Sequence, residues 1–281
     1  MKFSYLSFFL SLSILLSTEE VIPQDVVPRN KIKFSLQPSV EQLGDMLVYR
    51  FQVTNDRSAE QSVWQFRLYL SPDLSITSQT GPQGWESSCL NEKGRLMVFW
   101  GSPGDSDIVP GGSSGKFSIR AKSVPGIVQY YAEGYAPLPQ GEADSIPSYD
   151  DLTPYGPGIV GKTVGPVLPP DPFIAASFLD TLASYKHQAA ALCWVGQDVF
   201  LNQLDEKLDQ ARDQLAKGHT KQAIDKVQEF LKKIEHEAKK TEKDQDKKND
   251  KEWVTSEGYA LLKFNAEYLI EKLEEQITKK K

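Results

Sequence analysis

Through residues 31–136 apolar and polar positions alternate in short runs. KIKFSL, MLVYRFQVTN, SVWQFRLYL, GRLMVFW, GKFSIRA and IVQYYAEGY are rich in β-branched and aromatic residues, and in the second of them Tyr49, Phe51 and Val53 oppose Val48, Arg50 and Gln52. Between them stand the turn clusters SPDLS, TGPQG, SPGDSD and VPGGSSG. Runs of period two bounded by Gly, Pro, Ser and Asp predict strands. Several in succession, with no helical pattern among them, predict an antiparallel β-sandwich.

Beyond Phe173 the period changes to that of helices and proline does not recur. A first helix over about 173–192 would carry Phe178, Leu182, Tyr185 and Ala189 on one face. A second carries Leu201, Leu204, Leu208, Ala211 and Leu215, and Gly218 is placed to end it in a left-handed conformation. Thr220 is the expected cap of a third, whose stripe is Ala223, Val227, Phe230, Ile234 and Ala238. A fourth, beginning after Thr255 or Ser256, presents Leu262, Ala266, Leu269, Leu273 and Ile277. Four stripes of this width need one another for burial, which predicts an antiparallel helical bundle. The fold class expected is therefore two-domain, all-β followed by all-α.

Three further segments complete the division. Residues 137–172 are dense in Pro and Gly and predict a linker or extended strap, within which IVGKTV (159–164) has the composition of a last edge strand. The charged run 239–252 has no apolar face and reads as a solvated loop or helical extension. At the N-terminus Lys2 precedes an apolar run from Tyr5 to Leu16, followed by Glu19 and Glu20. The run is short for a membrane span, which needs about 20 apolar residues. Its form predicts a signal peptide over 1–17, a buried N-terminal helix being the other reading. The expected domains are a sandwich over 31–136 and a bundle over 173–281, in a protein secreted or periplasmic, with no stable membrane insertion once the signal is removed.

Two stretches carry resemblances. LDEKLDQARDQLAKGHTKQAIDKVQEFLKKIE, with VTSEGYALLKFNAEYLIEKL after the charged run, resembles the FIMAH module attached to secreted bacterial and archaeal hydrolases, over roughly residues 196–277. The resemblance implies an accessory role and no catalytic residue. YRFQVTN, GPQGW and IVPGGSSGKFSI make the first half look like the immunoglobulin-like sandwiches of exported bacterial proteins. The paired cysteines around a tryptophan that mark immunoglobulin domains proper are missing, since this half holds only Cys89.

Composition narrows the chemistry. The 281 residues carry a net charge of −6, with no basic field to favour nucleic acid. The imidazoles His187, His219 and His236 stand in no metal-binding spacing, and no cofactor or metal is expected. Gly156 and Gly161-Lys162-Thr163 formally meet the phosphate-loop pattern, but a proline-rich stretch follows where a helix is required. Asp105 with Asp107, and Asp144 with Asp150 and Asp151, read as solvated acidic turns, calcium being the alternative. Cys89 and Cys193 leave two readings, a bridge between the halves or two free thiols. Trp85, just after the GPQG turn, and Tyr131, in YYAEGY, are the candidate surface contacts for a ligand. The function expected is an exported, non-catalytic binding or scaffolding protein with a protein or glycan partner. The alternative is an accessory or catalytic component of an extracellular hydrolase acting on glycan or peptide polymer.

Overall fold

A computed structural model describes residues 30–134, 158–196, 198–243 and 253–279. The expected signal peptide, the acidic residues Asp144, Asp150 and Asp151, Gly156, the strap as far as residue 157 and the charged run from 244 lie outside the described residues.

The first half is antiparallel throughout. Strands β1 (Phe34–Leu43), β2 (Met46–Asn55), β7 (Ser113–Ala121) and β4 (Ile76–Thr80) form one sheet in the order β1-β2-β7-β4. The other contains β5 (Glu86–Glu92), β6 (Arg95–Gly101), β3 (Val63–Leu70), β8 (Val124–Gly134) and β9 (Ile159–Val167), in the order β5-β6-β3-β8-β9. Alternation decides which residues meet between the sheets. Tyr49, Phe51 and Val53 from β2, Phe66 and Leu68 from β3, and Phe117 and Ile119 from β7 are all buried, while Arg50, between two of them, is exposed and pairs with Glu41 at 2.7 Å. Phe66 stacks on Trp100 with ring centroids 4.7 Å apart, and Phe117 meets Phe66 edge-on at 4.9 Å.

β9 pairs with β8 along its whole length, so Gly161, Lys162 and Thr163 are extended backbone opposite Tyr130, Gln129 and Val128. A cradle for phosphate needs a loop leading into a helix, and the strand geometry rules it out here.

The second half is four helices: α1 (Ala175–Ala191), α2 (Asp198–Ala216), α3 (Thr220–Lys243) and α4 (Ser256–Lys279). The two-residue strands β10 (Val195–Gly196) and β11 (Trp253–Val254) pair before α2 and α4. Gly218 ends α2 at φ 74°, and the His219 N–H donates back to the Gln214 carbonyl at 2.9 Å. The helix start falls one residue earlier than the sequence suggests. The His219 carbonyl accepts from the Ala223 N–H, which makes His219 and not Thr220 the cap position.

Two polar residues depart from the expected stripes. Lys186, in line with Phe178 and Leu182, is fully buried, and its ammonium forms an ion pair with Asp205 on α2. Asn265 is fully buried on α4, a helix whose burial is too wide for one stripe: Ala260, Leu261, Leu262, Phe264, Ala266 and Leu269 are all buried. The reason is that α4 packs on two partners, helices α1 and α3 on one side and strands β1, β8 and β9 on the other. One apolar core therefore continues from the sandwich into the helices. Pro125 on β8 faces Pro166 on β9, and a proline has no N–H to give. The Asn265 side chain supplies a donor instead, 2.8 Å from the Pro125 carbonyl.

Candidate functional site on the outer sheet face

Strand alternation places one set of side chains on the outer face of the five-stranded sheet. Register aligns Ser88, Phe99, Arg67, Tyr131 and Val160 in one row across all five strands, with Glu86, Gly101, Gln65 and Glu133 in the row beside it. A cavity of about 710 Å³ opens over β5, β6 and β3, and Gln65, Arg67, Glu86, Leu90, Met97 and Phe99 contribute to its lining. An irregularity in the β3–β8 register between Val63 and Gln65 lets the neighbours Trp64 and Gln65 both reach it. Gly101 keeps the floor low. A Cβ there would meet the Phe99 ring at 2.5 Å, so the ring lies over the bare backbone.

Arg67 is the fixed charge of this face. Its guanidinium sits 4.6 Å from the Tyr131 ring centroid, 3.7 Å from a Glu133 oxygen and 3.8 Å from the Met97 sulfur, while its Nε is buried with no hydrogen-bond partner. Glu133 is only 2% exposed and accepts from the Gln65 amide. Burial pushes its carboxyl above the usual range, against the opposing pull of Gln65, Arg67 and Tyr131. Burial, followed by the Glu133 charge, likewise raises the Tyr131 phenol.

At the cavity lip β5 turns into β6 through Lys93 and Gly94, at φ 48° and 77°. A two-residue turn with both centres left-handed suits the sheet twist, and glycine or asparagine is the usual occupant. Lys93 is an unusual one, and it lines the cavity. Glu86, Asn91, Glu92 and Lys93 all line the same space, and no side chain among them has a hydrogen bond or ion pair among the described residues. Register sets Glu86 and Glu92 on this face, whereas Asn91, opposite the buried Leu96, points to the other.

The sequence-predicted contacts are distributed differently. Trp85 is corrected to a core residue: it is 9% exposed, its ring meets Phe117 edge-on at 4.9 Å and its indole N–H donates to the Ser106 carbonyl at 2.8 Å. Tyr131 is half-buried between Arg67 and Gly158, where a Cβ would collide with its ring, so it supports Arg67 without lining the cavity itself. The bridge between Cys89 and Cys193 is not formed: the Cys89 thiol donates to Gln79 at 2.7 Å, Cys193 is exposed at the end of α1, and both are free. Sequence reasoning missed Gln65, Arg67 and Glu133. Their signal was present in WQFRLYL and QYYAEG, whose outward positions are polar or aromatic in both strands, but the register joining them was not.

The imidazoles stand apart from this face. His187 lies 3.8 Å from Asp205, His219 3.1 Å from Gln214 and His236 3.9 Å from Glu237, each at the surface of the helical half. No group of three or more His, Cys, Asp or Glu among the described residues is placed to hold a metal ion. No helix among them is long and apolar enough to cross a membrane.

No curated protein sequence matches the chain. Among solved structures the sandwich is similar to an uncharacterized protein from Nocardia farcinica with an immunoglobulin-like fold, at 16% identity over 48% of this chain and 98% of that one, TM-score 0.29. It is also similar to a cohesin module from a Clostridium perfringens family 33 glycoside hydrolase, at 10% identity over 50% and 98%, TM-score 0.30. A third is the chitin-binding domain of a Pyrococcus furiosus chitinase, at 16% identity over 40% and 96%, TM-score 0.23. In the helical half, residues 188–249 match the FIMAH domain, beginning within α1 and stopping short of α4.

Proposed function

We propose that this is an exported, non-catalytic binding protein that holds a protein or glycan ligand on the outer face of its five-stranded sheet. The observation that carries the reading is the cavity of about 710 Å³ whose lining residues Glu86, Glu92 and Lys93 have no side-chain partner among the described residues. Such a volume lies within the range of about 300–1,000 Å³ common to ligand sites. Lys93 supports it independently, since a lysine held at φ 48° is a local cost placed at the cavity lip. Export is supported by the apolar run from Tyr5 to Leu16. The partition into a sandwich, a segment over 137–172 and a helical half belongs to the same proposal.

The FIMAH match favours a second reading, an accessory component of an extracellular hydrolase. Screening the purified chain against arrayed glycans and peptides, for both binding and turnover, tests the two together. Binding that is lost when Glu86 and Glu92 are both replaced by alanine is the expected result. Turnover of an arrayed polymer, abolished by replacing a single carboxylate or serine, would overturn the non-catalytic reading.

A further inference from the structure

The chemistry of the cavity rim narrows the ligand further. Resting on the sheet-face reading above, we propose that the ligand is a neutral polysaccharide segment, bound through its hydroxyl groups between the carboxylates Glu86 and Glu92 and the donors Arg67 and Lys93.

A carboxylate only accepts hydrogen bonds, whereas guanidinium and ammonium groups only donate. Both kinds line this one cavity, and Glu86, Glu92 and Lys93 have no partner among the described residues. A ligand that satisfies them together must donate and accept at neighbouring atoms, as adjacent hydroxyl groups on a sugar ring do. Leu90, which is 42% exposed, provides apolar surface for the C–H face of such a ring.

Charge argues against a polyanion. The rim carries Glu86 and Glu92 against Arg67 and Lys93, and the Arg67 charge is already met from beneath by Glu133 at 3.7 Å. An acidic ligand would gain no net field and would face two carboxylates. A peptide is also disfavoured, because an extended peptide satisfies its backbone along a sheet edge. Such an edge exists at β5, but the unpaired groups are side chains on the face.

The test is affinity electrophoresis of the full chain through native gels containing soluble β-glucan, xylan, mannan or glycol chitin, with polygalacturonate as the anionic arm. The comparison proteins are the Glu86→Ala/Glu92→Ala double variant and Lys93→Gln, each first shown to keep the parent's circular dichroism and melting temperature. The expected result is retardation by at least one neutral polymer and not by polygalacturonate, with affinity about tenfold weaker in the double variant, as loss of charged hydrogen bonds requires. Retardation by polygalacturonate alone, by no polymer, or to an equal degree in the parent and both variants would overturn the proposal. A parallel peptide array separates the two readings. Peptide binding that the variants lose, without retardation by a neutral polymer, overturns the polysaccharide and leaves the face as a recognition surface; variants that alter binding of neither kind overturn both.

Discussion

Replacing Asn265 with alanine should loosen the attachment of α4 to the sandwich by an amount the structure allows to be worked out. The side chain is fully buried and donates to the Pro125 carbonyl at 2.8 Å and the Leu261 carbonyl at 2.7 Å. Leu261 loses little, because within the helix its carbonyl is already served by the backbone N–H four residues on. Pro125 loses more. Pro166 opposite has no N–H to substitute, so a buried carbonyl is left without a donor, which costs about 1–3 kcal/mol. The void adds to this, while removal of the Asn265 Oδ1, itself without a partner, offsets part of it. The sum is about 2 kcal/mol, or a fall in melting temperature of roughly 4–8 °C for a chain of this size. Differential scanning calorimetry of the full chain reads it directly. A fall of less than about 1 °C would refute the idea that this one amide supplies what two facing prolines cannot.

Two further changes test the sheet face. Glu133 holds its proton more tightly in the folded state than in the unfolded, because burial raises its carboxyl above the usual 4.5. Its contribution is therefore full below that value and is lost as pH rises through the raised one. Glu133→Gln should flatten that decline in urea titrations run from about pH 4 to pH 7, and an unchanged slope would count against a carboxyl raised by burial. Lys93→Asn should raise stability by about 0.5–1 kcal/mol, since asparagine tolerates the left-handed conformation better. A melting temperature unchanged or lowered would show that Lys93 stores no strain.

Periodicity was enough to read the strands and helices, because β2 and α3 each bury one consistent face: Tyr49, Phe51 and Val53 in one, Ala223, Val227, Phe230 and Ile234 in the other. It failed where a residue's role depends on a second element. Lys186 falls on the buried side of α1, and only the position of Asp205 on α2 makes a charge tolerable there. Trp85 follows a turn and so reads as exposed, yet the backbone at Ser106, far along the chain, takes its indole proton. The sheet-face cluster escaped for the same reason. Alternation told which side Arg67 and Glu133 occupy, whereas the β3–β8 register that brings them to 3.7 Å is a property of pairing and not of either strand.

The shared burial of α4 bears on the order in which the chain can mature. During synthesis the strands emerge first, and the surface that β1, β8 and β9 offer to α4 has no cover until the last described helix has been made. The Pro125 carbonyl waits with it, hydrated and unpaired, until Asn265 arrives. The sandwich is thus held short of its final state for nearly the whole time of translation, and completion of its surface becomes a report that the far end of the helical half is present.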